Sequence, residues 1–248
     1  MAIAREMAMA LDPVLLSRAA GIEPDPWQAS LLRSQARRIL INCSRQAGKS
    51  TVSAALAVHT ALYDPGSPIL VLSPSQRQSQ ELFRKCLEVY RALDRPVPAE
   101  AESALRLELE TGSRIIALPG KEGTIRGISG ARLLIIDEAS RVPDSLYMAV
   151  RPMLAVSGGR IALLSTPFGT RGFFYGAYQT RDQWDYYEVP ATDCPRISPE
   201  FLEEERRTMG DFWFLQEYMC RFLDAQGAAF RAEDIERLVD KEIEAWNL

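Results

Sequence analysis

Two short stretches hold the residues best suited to chemistry. The first is Cys43-Ser44-Arg45-Gln46-Ala47-Gly48-Lys49-Ser50-Thr51. Its spacing follows the phosphate-binding loop G-x-x-x-x-G-K-[S/T], with Cys43 where the first glycine belongs. Backbone N–H groups at a helix N-terminus favour phosphate oxygens. Gly48 permits close backbone approach, Lys49 could bring a cation to the terminal phosphates, and the Ser50 hydroxyl can hold Mg²⁺; alternatively Gly-Lys-Ser stands at a helix start by chance. The second stretch is Leu133-Leu134-Ile135-Ile136-Asp137-Glu138. Two carboxylates directly after four apolar residues do not serve packing, because burying charge is costly. Asp137 suits the ligand network of Mg²⁺, and Glu138 suits orientation and deprotonation of a water. Alternatively both open a solvated loop, with Glu138 helping to cap the next helix. Taken together, the two stretches point to hydrolysis of a nucleoside triphosphate.

Weaker signals surround them. Trp27 and Gln28 lie about twenty residues before the loop. They could stack on and hydrogen-bond an adenine, or Trp27 could anchor the core. Ser165-Thr166-Pro167 follows an apolar run and could sense the state of a terminal phosphate, or form an ordinary turn. Arg77 follows another apolar run and could touch a nucleic-acid backbone, or sit in a helix cap. The glycine-rich stretch 119–130 carries Lys121 and Arg126, which could meet DNA or a phosphate, or decorate a surface turn. The four cysteines show no C-x-x-C spacing and the only histidine is His59, so a zinc site is not expected. A Cys–His nucleophile is formally possible, and a packed structural histidine is the simpler reading.

These residues need elements to place them. Unbroken apolar runs at 38–43, 69–73, 133–136 and 161–165 read as strands buried on both faces. The spacing predicts helices over 27–38, 50–63 and 75–93, and a hairpin of 105–110 with 114–118 around Thr111-Gly112-Ser113. Strands alternating with helices imply an α/β fold with a mainly parallel sheet covered on both faces. From about residue 178 the pattern turns helical and acidic, which suggests a small second subdomain.

The 248 residues are 47% apolar and 25% charged, a globular composition that excludes collagen-like and disordered classes. No run reaches the length of a membrane span. The first sixteen residues lack the pattern of a signal peptide, so an intracellular protein is expected. The net charge of −4 argues against a broadly basic coat. Residues 200–248 hold 13 acidic and 6 basic side chains, against 20 and 23 in the first 199. Any nucleic-acid contact is therefore local to the body of the chain.

The loop Ser44 to Ser50, with Arg45-Gln46 inside it and no first glycine, resembles that of large terminase subunits, the DNA-packaging motors of tailed bacteriophages. Trp27-Gln28, Ile125-Arg126-Gly127, Ile135-Ile136-Asp137-Glu138-Ala139, Ser165-Thr166-Pro167 and Phe214–Phe222 extend the resemblance over roughly residues 25–230. It implies a P-loop NTPase of the additional-strand type with a small lid-like subdomain. The expected division is an ATPase core at 1–180, a helical lid at 181–226, and a linker or tail at 227–248. It implies ATP and Mg²⁺ held by Ser44, Gln46, Ala47, Gly48, Lys49, Ser50 and Thr51, with Trp27 and Gln28 at the base. Asp137 then holds Mg²⁺ and Glu138 is the catalytic carboxylate. Arg45 and Arg126 match positions of arginine fingers in cis and in trans, and Ser165-Thr166-Pro167 matches the coupling motif. The implied partners are double-stranded DNA, a portal protein, a small terminase subunit and further copies in a ring. The implied location is the cytoplasm of an infected bacterial host, with no membrane. Family members usually continue into a nuclease domain, for which residues 227–248 leave no room, so no DNA cutting is expected. Two alternatives are a helicase-like translocase and a non-hydrolysing nucleotide-binding scaffold.

Overall fold

The computed structural model describes residues 2–118, 120 and 128–224. The apolar run Arg38–Cys43 forms β1, and its side chains alternate between two cores as a strand's must. Ile39, Ile41 and Cys43 enter one core; Leu40 enters the other. That is why the run does not alternate apolar and polar residues through its middle. Strands β2 (Pro68–Leu72), β6 (Leu133–Asp137) and β7 (Arg160–Ser165) follow the same rule and are buried almost throughout. Between β2 and β6 the chain adds β3 (Ala99–Glu102), β4 (Arg106–Leu109) and β5 (Arg114–Ala117), and β8 (Asp185–Val189) comes last.

The eight strands form one sheet in the order β3-β4-β5-β2-β6-β7-β1-β8. From β5 to β8 every pairing is parallel; β3 and β4 are antiparallel additions. β7 stands between β1 and β6, which makes the fold an additional-strand P-loop architecture. On one face pack α2 (Pro13–Ala19), α3 (Pro26–Arg33), α4 (Lys49–Tyr63) and α5 (Gln76–Ala92), with Met9 of α1 (Ala2–Leu11). The other face is covered by α6 (Asp144–Val150) and α7 (Gly172–Gln179). Among the described residues the last helix is α8 (Pro199–Glu217), interrupted at Gly210, whose φ of 80° is left-handed.

Three differences from expectation have local causes. α3 ends at Arg33 rather than at 38. The Ser34 hydroxyl takes the Ala36 N–H at 3.2 Å, which favours a turn over another helical residue. β3 is exposed at all four positions, so it carries no apolar signature. β8 lies inside the segment expected to be a helical lid, yet it runs parallel to β1 in register Ile39↔Asp185 to Cys43↔Val189. A separate small core of Ala191, Leu202, Phe214 and Tyr218 follows it. The expected boundary at 181 thus falls ahead of a strand of the main sheet. The tail 227–248 lies outside the described residues.

Candidate active site

In open α/β sheets, ligands bind at the carboxyl ends of the strands. Here β1 and β6 end in the two chemical stretches. After Cys43 the chain turns through Gln46 (φ 61°) and Gly48 (φ 89°), and α4 begins at Lys49. A Cβ on Gly48 would stand 2.6 Å from the Gln28 amide nitrogen, which itself donates to the Gly48 carbonyl at 3.2 Å. Glycine suits the left-handed backbone angle, and a side chain there would also displace the Gln28 amide. Gln28 is fixed in turn by the Asp25 N–H, which donates to its Oε1 at 2.8 Å.

Across the cleft, Glu138 is also left-handed (φ 50°), a conformation that costs roughly 1–2 kcal/mol for a residue with a side chain. It lets the carboxylate turn back toward the loop. Lys49 Nζ lies 3.1 Å from Glu138 Oε1, and the Ser50 hydroxyl donates to Asp137 Oδ2 at 3.4 Å. Burial pushes the Asp137 carboxyl up to about 6, with the Lys49 cation pulling the other way. Burial disfavours the Lys49 ammonium, but Cys43 once ionised, Glu138 and Asp137 outweigh it and push it up to about 12. The Cys43 thiol is itself pushed up to about 12 by burial and stays neutral near pH 7. The two carboxylates are therefore what keeps Lys49 charged there.

The resulting cleft of about 600 Å³ is lined by Arg45, Gly48, Lys49, Ser50, Thr51 and Glu138, together with Gln78, Lys85 and Arg141. Sequence reasoning missed the last three. Gln78 and Lys85 are seven residues apart on α5, two turns along one face, and that periodicity was the available signal. Arg77, expected at a DNA backbone, sits exposed in the first turn of α5 beside Gln78.

The other expected residues distribute unevenly. Ser44 is buried; its N–H donates to the Val189 carbonyl at 3.0 Å. Ala47 is buried, and its carbonyl accepts from Arg196 at 3.4 Å. Trp27 packs against the core, so its core-anchor reading is the one visible here. Arg45 Nε pairs with Glu217 Oε2 at 2.5 Å, and its N–H donates to the Glu217 carbonyl at 3.1 Å. Lys121 and Arg126 lie outside the described residues. Ser165 and Thr166 are tied to the acidic strand by a residue not foreseen, Ser140. The Ser140 hydroxyl lies 2.7 Å from Ser165 Oγ and donates to the Thr166 carbonyl at 2.8 Å. Its N–H donates to Ser165 Oγ at 3.2 Å.

The donor set on this cleft fits a nucleotide with Mg²⁺. Ser50 and Asp137 present hard oxygens at one point, as Mg²⁺ requires, and the start of α4 presents N–H groups to phosphate. A sheet with an extra strand between a phosphate-loop strand and a carboxylate strand defines the class of P-loop nucleoside triphosphatases. Within it, residues 40–237 match the family model described as terminase large subunit, T4likevirus-type, N-terminal, and the chain belongs to that family. The large terminase subunit of Thermus virus P23-45 is 26% identical, covering 87% of this chain and 52% of that protein. That of Escherichia phage T5 is 25% identical over 85% and 50%. The chain thus spans about half the length of the curated relatives it matches. The structure of the Thermus phage P74-26 large terminase ATPase domain superposes with a TM-score of 0.75 at 22% identity, covering 84% of this chain and 97% of that one. The large terminase of a thermophilic bacteriophage, solved in complex with ADP, superposes at 0.64 and 14% identity, over 81% and 54%.

Proposed function

We propose that this chain hydrolyses ATP as the motor module of a large terminase and drives double-stranded DNA into a viral procapsid. The observation that carries the reading is the meeting of Lys49, Ser50, Asp137 and Glu138 in one cleft from two strands separated by a third. The α4 N-terminus and Lys49 bind the phosphates. Ser50 and Asp137 hold Mg²⁺, which neutralises charge on the phosphate oxygens. Glu138, released from Lys49 when phosphate takes its place, orients the attacking water and accepts its proton. Arg45 supplies a cation in cis, and Arg126 is assigned the trans role in a ring. Ser140 ties the acidic strand to Ser165-Thr166-Pro167, so a shift at Glu138 reaches the coupling segment through three hydrogen bonds. Gln28 acts on the loop through Gly48. The proposed partners are a portal protein, a small terminase subunit and further copies, in the cytoplasm of the infected host. No helix among the described residues is long and apolar enough to cross a membrane.

The test is ATP turnover against protein concentration, with and without double-stranded DNA. Specific activity that climbs with concentration and rises further with DNA is expected. Concentration-independent turnover unaffected by DNA would remove the ring motor and leave an isolated ATPase. Mixing Arg126→Ala with Glu138→Gln should restore activity that neither has alone; no restoration would leave Arg45 as the working arginine.

A further inference from the structure

Arg141 carries no role in the phosphate-loop chemistry described above, yet it stands where three parts of the molecule meet. It lines the nucleotide cleft. Its turn is anchored on the catalytic strand, with the Arg141 N–H donating to the Glu138 carbonyl at 2.9 Å. Its guanidinium lies 4.1 Å from the centre of the Phe168 ring, one residue past Ser165-Thr166-Pro167. It also reaches Glu217 Oε1 at 3.5 Å, a carboxylate 9% exposed at the end of α8 that Arg45 holds far more tightly. Glu217 Oε1 is further occupied by the Gln216 amide at 3.2 Å. Arg141 is therefore the loosely held partner of an anion already satisfied, one-third exposed and facing a cleft built for phosphate.

We infer that Arg141 is a positioning residue that reads the terminal phosphate, resting on Glu217 when that phosphate is absent and turning to it when present. This rests on the ATPase reading above. A guanidinium prefers the fork geometry of a phosphate to a long contact with a carboxylate already paired. Because the same group lies on the Phe168 ring, its excursion moves the segment after the coupling motif and frees one side of α8 at the same time. The chain thereby distinguishes a triphosphate from a diphosphate without using Lys49 or Glu138 to do so.

The experiment compares ADP and ATPγS affinity, each with Mg²⁺, for the whole chain and for Arg141→Gln, alongside thermal midpoints. The expected result is an ADP affinity within a few-fold of the parent and a loss of about tenfold in the preference for ATPγS, the worth of one charge-assisted hydrogen bond. An unchanged preference overturns the inference, as does a parallel loss for both nucleotides, which marks a structural residue. Should Arg141→Gln fail to fold, Arg141→Lys keeps the charge and loses the fork, and should lower the preference for ATPγS while keeping ADP affinity. A preference unchanged or raised there overturns the inference equally. If the parent chain binds neither nucleotide, it is the ATPase reading that has failed.

Discussion

Lys49 is nine-tenths buried and keeps its charge because Glu138 and Asp137 surround it. Removing the amine leaves two carboxylates crowded at the site we assign to phosphate. Lys49→Ala should therefore weaken nucleotide binding by at least about 10²-fold, within the cost of truncating one member of a buried charge pair. Equilibrium titration with a fluorescent ATP analogue reads this directly, and retained affinity would remove Lys49 from the phosphates. Glu138→Gln keeps the shape and loses the base, so it should bind ATP and lose on the order of 10²–10⁴ in turnover; parent-like rates would place the base elsewhere. Lys49 with Ser50 and Asp137 with Glu138 were legible because each pair is contiguous in the chain and its chemistry follows from residue type. Arg141 and Glu217 were not, since they are 76 positions apart and only the fold brings them together. Ser140 stands two residues from Glu138, but nothing in a serine announces that it will meet Ser165.

At the scale of elements, the buried strands were readable because being covered on both faces leaves mostly apolar runs with polar residues only near their ends. β8 was not, because Asp185-Tyr186-Tyr187-Glu188-Val189 is a half-exposed edge strand whose polar residues resemble the acidic helix that follows. Asn42 of β1 donates to the Cys220 carbonyl at 2.9 Å and so ties the end of the described chain to the phosphate-loop strand. Asn42→Ala leaves that buried carbonyl unpaired and should cost about 1–3 kcal/mol in urea unfolding; a change below a few tenths would mean the tie is replaced. The packing of α4 against α1 buries a titratable group, so stability should depend on pH there. His59 Nε2–H donates to the Met9 carbonyl at 3.1 Å, and burial holds its pKa below the ordinary 6.5, with Asp12 and Arg160 acting in opposite senses. The unfolded chain therefore takes up the proton more readily than the folded one. Stability is full above about 6.5 and falls as the pH drops through that value toward the lower folded one. His59→Gln should flatten the fall in urea midpoint between pH 7 and pH 5, whereas an equal fall would show that other groups cause it.

For the whole molecule, the cleft joins β1, β6 and α5 and borders the end of α8, so a bound nucleotide holds together parts distant in sequence. Mg²⁺ with ADP at a hundred times its Kd should stabilise the fold by about 2.7 kcal/mol, or roughly 5–10 °C in Tm for a chain of this size. Lys49→Ala should abolish the shift. A parent Tm indifferent to nucleotide would mean that the cleft does not bind it.

The position of β7 has one more consequence. The two jaws of the cleft are separated by two interstrand spacings, about 10 Å, set by backbone hydrogen bonds and not by any side chain. That distance belongs to the backbone ladder, so exchange of one side chain for another that keeps the strand leaves it in place. Core residues on either side of the sheet are then free to drift, provided they stay apolar and fill the same space. A TM-score of 0.75 at 22% identity shows the same fold kept through wide divergence of sequence.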